Sequence, residues 1–183
     1  MTRPASPAPG DILVERLNAE GARAAMPALC DILSDCVEGG ASLGFMTPFP
    51  PDAALPFWEG VAEAVEEDAV ALIAARIGGE IVGTVQVGLK MPPNQPHRAD
   101  IKKLLVHRSA RGLGLARRVM DFAEQTALCH GKTVLVLDTA TGEPAEAIYG
   151  RLGWIRVGVI PHYALMPDGR SCDTTFFYKH LGA

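Results

Sequence analysis

The chain is poor in the features that mark several special chemistries. Its 183 residues hold four cysteines, Cys30, Cys36, Cys129 and Cys172. None pair as Cys-x-x-Cys, so the usual spacing of a structural zinc site is missing, no metal is expected, and a reactive cysteine finds no obvious base. Cys30 and Cys36 fall within one predicted helix at a spacing that turns them to different faces and disfavours a bridge. Free, mostly buried thiols in a reducing cytoplasm are expected. Basic excess is also missing: the net charge is −4 and the pI is near 5.7. That removes the basic stripe a nucleic-acid surface needs, and the pairs Lys102-Lys103 and Arg117-Arg118 are expected to be solvated faces. No apolar run approaches membrane-spanning length. Residues 1–10 are rich in proline and alanine without an apolar core stretch, the pattern of a loose tail and not of a signal peptide.

Enough chain is left, residues 11–183, for a single domain with a sizeable core. Residues 12–17 suit a strand. Residues 22–37 suit a helix, with Met26, Leu29, Leu33 and Val37 at three- and four-residue steps and Pro27 forcing a first-turn position or a later start. Gly39-Gly40 ends it. Residues 41–48 form an irregular apolar loop, and a second helix is expected over 52–67. Two strands, 70–77 and 81–89, meet at Gly78-Gly79 in a tight hairpin, the second with one face expected to be wet. A proline-rich loop, 91–96, leads to a strand over 98–107. After a helix over 112–129 comes 132–138, whose consecutive Val134, Leu135, Val136 and Leu137 predict a strand covered on both sides. A short helix (144–152) and strands 154–163 and 172–181 complete the chain, with a turn at Pro167-Asp168-Gly169.

One stretch organises the rest. Arg111-Gly112-Leu113-Gly114-Leu115-Ala116 follows a strand and opens a helix. The first N–H groups of a helix have no internal partner and carry partial positive charge, and glycines let a phosphate approach the backbone. A pyrophosphate-bearing ligand is expected. A mononucleotide loop would need Gly-Lys-Ser/Thr, and a dinucleotide fingerprint would need a small residue where Arg117 stands. Neither fits.

The Arg111–Ala116 pattern instead resembles the acetyl-CoA loop of the GNAT N-acetyltransferases. Leu104-Leu105-Val106 before it and Ile148-Tyr149-x-x-Leu152-Gly153-Trp154 after it extend the resemblance. It implies an α/β fold with a mixed central sheet and helices on both faces, and acetyl-CoA as co-substrate. It further implies a cofactor site over Leu104, Leu105, Val106, Arg111, Gly112, Leu113, Gly114, Leu115, Ala116 and Tyr149. Backbone N–H groups at Leu104 to Val106 would meet the thioester oxygen, and Tyr149 would protonate the departing thiolate. For the base, Asp138 ends a strand where ligands enter such sheets. Asp100 precedes Leu104 by four residues on one strand, so both side chains are expected to share a face.

A finer resemblance joins His97-Arg98-Ala99-Asp100-Ile101 with Val136-Leu137-Asp138-Thr139 and Pro161-x-Tyr163-Ala164. It is to the tabtoxin-resistance acetyltransferases, which acetylate a small β-lactam amino acid. That group typically carries Glu where this chain has Asp100. The implied partners are acetyl-CoA and a small primary amine, with no nucleic acid and no membrane, and a homodimer is left open. Residues 42–46 are expected to shape the acceptor pocket. The competing readings are a protein N-terminal or lysine acetyltransferase and a non-catalytic acetyl-CoA-binding module.

Overall fold

The computed structural model describes residues 12–182, so the tail expected over 1–10 lies outside them. Strand β1 (Ile12–Leu17) leads into helices α1 (Ala19–Ala24), α2 (Met26–Glu38) and α3 (Leu55–Glu66). Strands β2 (Val70–Ile77), β3 (Glu80–Gly88) and β4 (Arg98–Val106) follow. After them come α4 (Leu115–Cys129), β5 (Val134–Ala140), α5 (Pro144–Arg151), β6 (Ile155–Leu165) and β7 (Ser171–His180). The seven strands form one mixed sheet in the order β1-β2-β3-β4-β5-β7-β6, and only β4 and β5 run parallel.

Each face of the sheet is buried under helices. On one, Ile73, Val85, Val87, Ile101, Leu135 and Leu137 pack against Leu115, Val119, Met120 and Ala123 of α4. On the other, Leu72, Ala74 and Leu105 pack against Leu29, Leu33 and Val37 of α2 and Trp58 and Val61 of α3. Fully burying a side chain of this size contributes about 1.5–3 kcal/mol, so the two clusters fix which strand face meets which helix layer.

Local differences from expectation have physical causes. The helix expected over 22–37 is two helices joined at Ala25. Pro27 lacks an N–H and its ring collides with a carbonyl four residues back, so it must sit in a first turn. Asn18 caps the earlier helix, its Oδ1 accepting from the Gly21 N–H at 2.7 Å. The expected wet face of β3 is dry: Thr84 and Gln86 are buried under the α2–α3 layer, and the Thr84 hydroxyl donates to the Ile73 carbonyl at 2.8 Å. In β5, only Leu135 and Leu137 reach the deep core, while Val134 and Val136 are half-buried and Asp138 is accessible. That strand is covered on one face and opens onto a cleft on the other.

Candidate active site

The cleft arises where β4 and β5 part. Their parallel pairing covers Arg98↔Val134, Ala99↔Leu135 and Asp100↔Val136 and goes no further, while β5 continues along β7 to Ala140. Beyond Asp100, β4 also bulges. Gln86 faces Lys102 and Thr84 faces Leu105, so three steps on β4 oppose two on β3, and Lys103 takes up the extra residue at φ +51°. The expectation that Asp100 and Leu104 share a face is therefore corrected. Ile101 and Leu104 face the α4 side, and Leu105 turns to the α2–α3 side. Without the bulge, alternation would drive the Lys103 ammonium into the core beside Ile101.

A cavity of about 890 Å³ fills the gap. Its floor is β4 from Ile101 to Val106, its far wall Asp138 to Ala140, and one end the turn Arg111-Gly112 with Gly114 to Arg117. Gly112 and Gly114 sit at φ +82° and +75°, and a Cβ built on either meets nothing within 4 Å. Those conformations place the helix start at Leu115 and not at Gly112. No side chain caps α4, so its first N–H groups are left for a ligand in the cleft. Leu113 packs its side chain against the core and can offer only backbone. Arg111 lines the cavity but folds back: its Nε donates to the Val106 carbonyl at 3.2 Å, and its guanidinium lies 3.9 Å from Asp35.

Asp35, on α2, is an anchor that sequence patterning did not single out. Its Oδ2 accepts the Arg108 N–H at 2.9 Å, and its Oδ1 accepts the Arg108 guanidinium. The residue therefore fixes the chain just before the glycine turn. The acid three turns into an amphipathic helix gives no sequence signal of that role.

At the opposite wall, Tyr149 is buried against Phe177 and Trp154, with ring centroids 5.6 and 6.1 Å away. Glu146 reaches back to accept from the Gly142 N–H at 2.7 Å and from the Thr175 hydroxyl at 2.8 Å, which pins the start of α5. The Gly142 N–H above all holds its carboxyl below the usual range. Burial first, and then the charge of Asp138, pushes the Tyr149 phenol up to about 12, so it keeps its proton through the neutral range. Asp138 stands in the cleft, and lost solvation pushes its carboxyl up even though the side chain remains accessible. Lys103 pulls it back down and Asp100 adds to the rise. Asp100 itself is not a lining residue and is held by Arg98 at 2.7 Å.

Lys103 is the second residue that sequence reasoning missed. Expected on a solvated face, it is half-buried in the cleft wall. Its Nζ donates to the Leu43 carbonyl at 2.7 Å and faces the rings of Phe45 and Phe57, with centroids 5.7 and 5.5 Å away. Burial lowers its pKa, and Asp138 offsets part of that. A lysine at an inward position of a strand, followed at once by Leu104 and Leu105, was the legible signal of a bulge. The loop over 41–49 is tied down on its other side too, with the Ser42 hydroxyl donating to the Leu165 carbonyl at 2.8 Å. Ala41 to Gly44 line the cavity, whereas Met46 is exposed and lies outside the lining. Among the described residues, no group of three or more His, Cys, Asp or Glu side chains could hold a metal ion. Nor is any helix among them long and apolar enough to cross a membrane.

A glycine turn before a helix and a tyrosine on the short helix after the next strand are parts the resemblance implies, and here a parted strand pair lies between them. The acetyltransferase (GNAT) family model matches residues 26–154, which include all of them. The chain belongs to that family. It is 33% identical over 112 residues to an uncharacterized N-acetyltransferase from the hisH–hisA intergenic region of Azospirillum brasilense. That match takes in 60% of this chain and 65% of the relative's length. Among solved structures, the yncA protein of Salmonella typhimurium, determined with its cofactor acetyl-CoA, superposes with a TM-score of 0.76 at 19% identity, over 93% of this chain and 94% of that one. A ribosomal-protein-alanine N-acetyltransferase from Brucella melitensis gives 0.75 at 23% identity, over 92% and 99%. These likenesses show a shared GNAT fold, a mixed sheet between helix layers.

Proposed function

We propose that this GNAT protein is an enzyme that moves the acetyl group of acetyl-CoA onto the primary amine of a small molecule. The observation that carries the reading is the single cleft that joins the Gly112–Ala116 turn at one end to Tyr149 and Asp138. Backbone N–H groups of Gly112 to Ala116 take the pyrophosphate of acetyl-CoA. The parted stretch of β4, Leu104 to Val106, offers backbone N–H to the thioester oxygen as charge develops there. Arg111 serves by holding the turn, through the Val106 carbonyl and Asp35.

The reaction balances on three groups. The amine nitrogen bonds to the thioester carbon and the carbon–sulfur bond breaks. The proton lost by the amine passes to Asp138, directly or through water, and the thiolate takes one from Tyr149; solvent then removes the proton from Asp138 and returns one to the Tyr149 phenolate, which resets both groups. Asp100 acts with Asp138 by tuning it across the strand pair, since its negative charge adds to the rise that burial gives the base's pKa. A tabtoxin-like β-lactam amino acid is one acceptor of the right size, and toxin resistance is the role that acceptor would give. The reading places the enzyme in the cytoplasm, in keeping with its four free thiols. It also allows a homodimer: β6 lies at the sheet edge and exposes Ile155, Val157, Val159 and Ile160, apolar surface of the kind a second copy covers.

Acetyl-CoA-dependent thiol release tests the reading across amino acids, polyamines, aminoglycosides and peptides. Turnover with a small amine is the expected result. Release confined to basic peptides would instead indicate a protein acetyltransferase, and tight acetyl-CoA binding without any release would indicate a binding module.

A further inference from the structure

Two opposite charges in the cleft act on each other without touching. Lys103 and Asp138 each shift the other's ionisation, yet they form no contact ion pair among the described residues. Both line the same cavity. Lys103 directs one N–H at the Leu43 carbonyl, 2.7 Å away, and its charge lies against two aromatic rings. These are partial negative charges, and an ammonium has three donors to place. A half-buried cation met only by dipoles and ring faces gains from a full counter-charge. Asp100, the other carboxylate on this side, is taken up by Arg98 at 2.7 Å. Lys102 is beside Lys103 on the cleft and adds a second positive charge. Among the described lining residues, Asp138 and Lys103 are thus a carboxylate and a cation that leave each other without a contact partner, while Glu143, the other lining carboxylate, stands at the start of α5.

We infer that Lys103 selects acceptors bearing a carboxylate beside the amine, with the amine drawn to Asp138 and the carboxylate to Lys103. The inference rests on the acetyl-transfer reading and adds the residue that recognises the acceptor's carboxylate. A zwitterion bridges the two side chains crosswise and neutralises both. A plain amine would leave Lys103 short of a partner and bring a second cation toward it. The bulge is what makes the arrangement available, because it turns Lys103 out of the core and sets its Nζ over the rings of Phe45 and Phe57.

The test compares matched acceptors, each amino acid against its own carboxamide and its decarboxylated amine, in the wild-type protein and in Lys103→Met. Methionine keeps an unbranched apolar stem over the rings and removes the charge. Wild type is expected to favour the acids. In Lys103→Met the acid-to-amide ratio of kcat/KM should fall about 10–100-fold, the value of a lost charge-assisted hydrogen bond, chiefly through KM. Taking the ratio within each pair and then between proteins cancels the differing basicity of the amines. Lys103→Arg should keep a preference for acids, and thermal melting checks that each variant is folded. If wild type acetylates the amides and plain amines as well as the acids, or if the acid preference survives in Lys103→Met, Lys103 is not the selector and acetyl transfer still stands. If no small amine of any kind is acetylated, the acetyl-transfer reading itself fails and takes this inference with it. Should Lys103→Met not fold, Lys103→Gln takes its place in the same comparison, with the same two outcomes.

Discussion

Tyr149 keeps its proton because burial among Phe177 and Trp154 and the nearby charge of Asp138 both disfavour the phenolate. A phenol pushed up to about 12 is an acid in waiting at neutral pH. Tyr149→Phe keeps the packing and loses only the hydroxyl. Turnover should fall by roughly 10²–10⁴-fold, the loss typical of a general acid, while acetyl-CoA affinity measured by calorimetry changes little. Normal turnover in that variant would make the tyrosine structural. Asp138 gives a pH test with a definite sign. Its carboxyl is pushed up by lost solvation, and in the proposed reaction its ionised form is the base, so activity should fall as pH drops through that raised value. Asp100→Asn removes a negative neighbour that adds to the rise, so the acidic limb should move to lower pH. Asp138→Asn should be slow near neutrality and recover at high pH, where free amine is abundant. A deficit undiminished at high pH would assign Asp138 to binding the substrate's ammonium. These roles were legible only in part. Tyr149 and Asp138 stood out by position, but the grip of Arg98 on Asp100 and the field of Lys103 depend on which way side chains leave a bulged strand.

At the scale of elements, the glycine turn was readable because its backbone conformation is written in residue type. Gly112 and Gly114 both adopt positive φ with open space where a Cβ would project. Gly114→Val adds a β-branched side chain both to a strained backbone and to the face a pyrophosphate must approach. Calorimetry on the folded variant should show acetyl-CoA binding weakened at least tenfold. Unchanged affinity would move the pyrophosphate elsewhere. The hairpin at Gly78-Gly79 was legible for the same reason. The division of the first helical stretch was half-visible in Pro27, but its earlier start at Ala19 depends on a cap that Asn18 supplies. The β4 bulge was missed because alternation was read straight through Lys103. A charged residue at an inward position is where a strand must break register or bury a charge.

At the scale of the whole molecule, element order and sheet composition followed from hydrophobic periodicity, since both faces of the sheet need apolar strands and one-sided helices. The cleft did not, because it depends on where β4 stops pairing with β5, which no local pattern encodes. The edge strand β6 offers a separate test. With Ile155, Val157, Val159 and Ile160 exposed there, sedimentation should detect a dimer, and Val157→Lys should shift it toward monomer. A wild-type chain that stays monomeric at high concentration would remove the homodimer from the reading. The central claim is acetyl transfer through this cleft to a small amine. Its most direct test is mass spectrometry of a small-amine mixture incubated with the protein and deuterated acetyl-CoA. The account predicts one amine gaining a single labelled acetyl group, with one CoA released per transfer and almost none in Tyr149→Phe. Acetyl-CoA held tightly by the folded protein while no amine gains the label would contradict it.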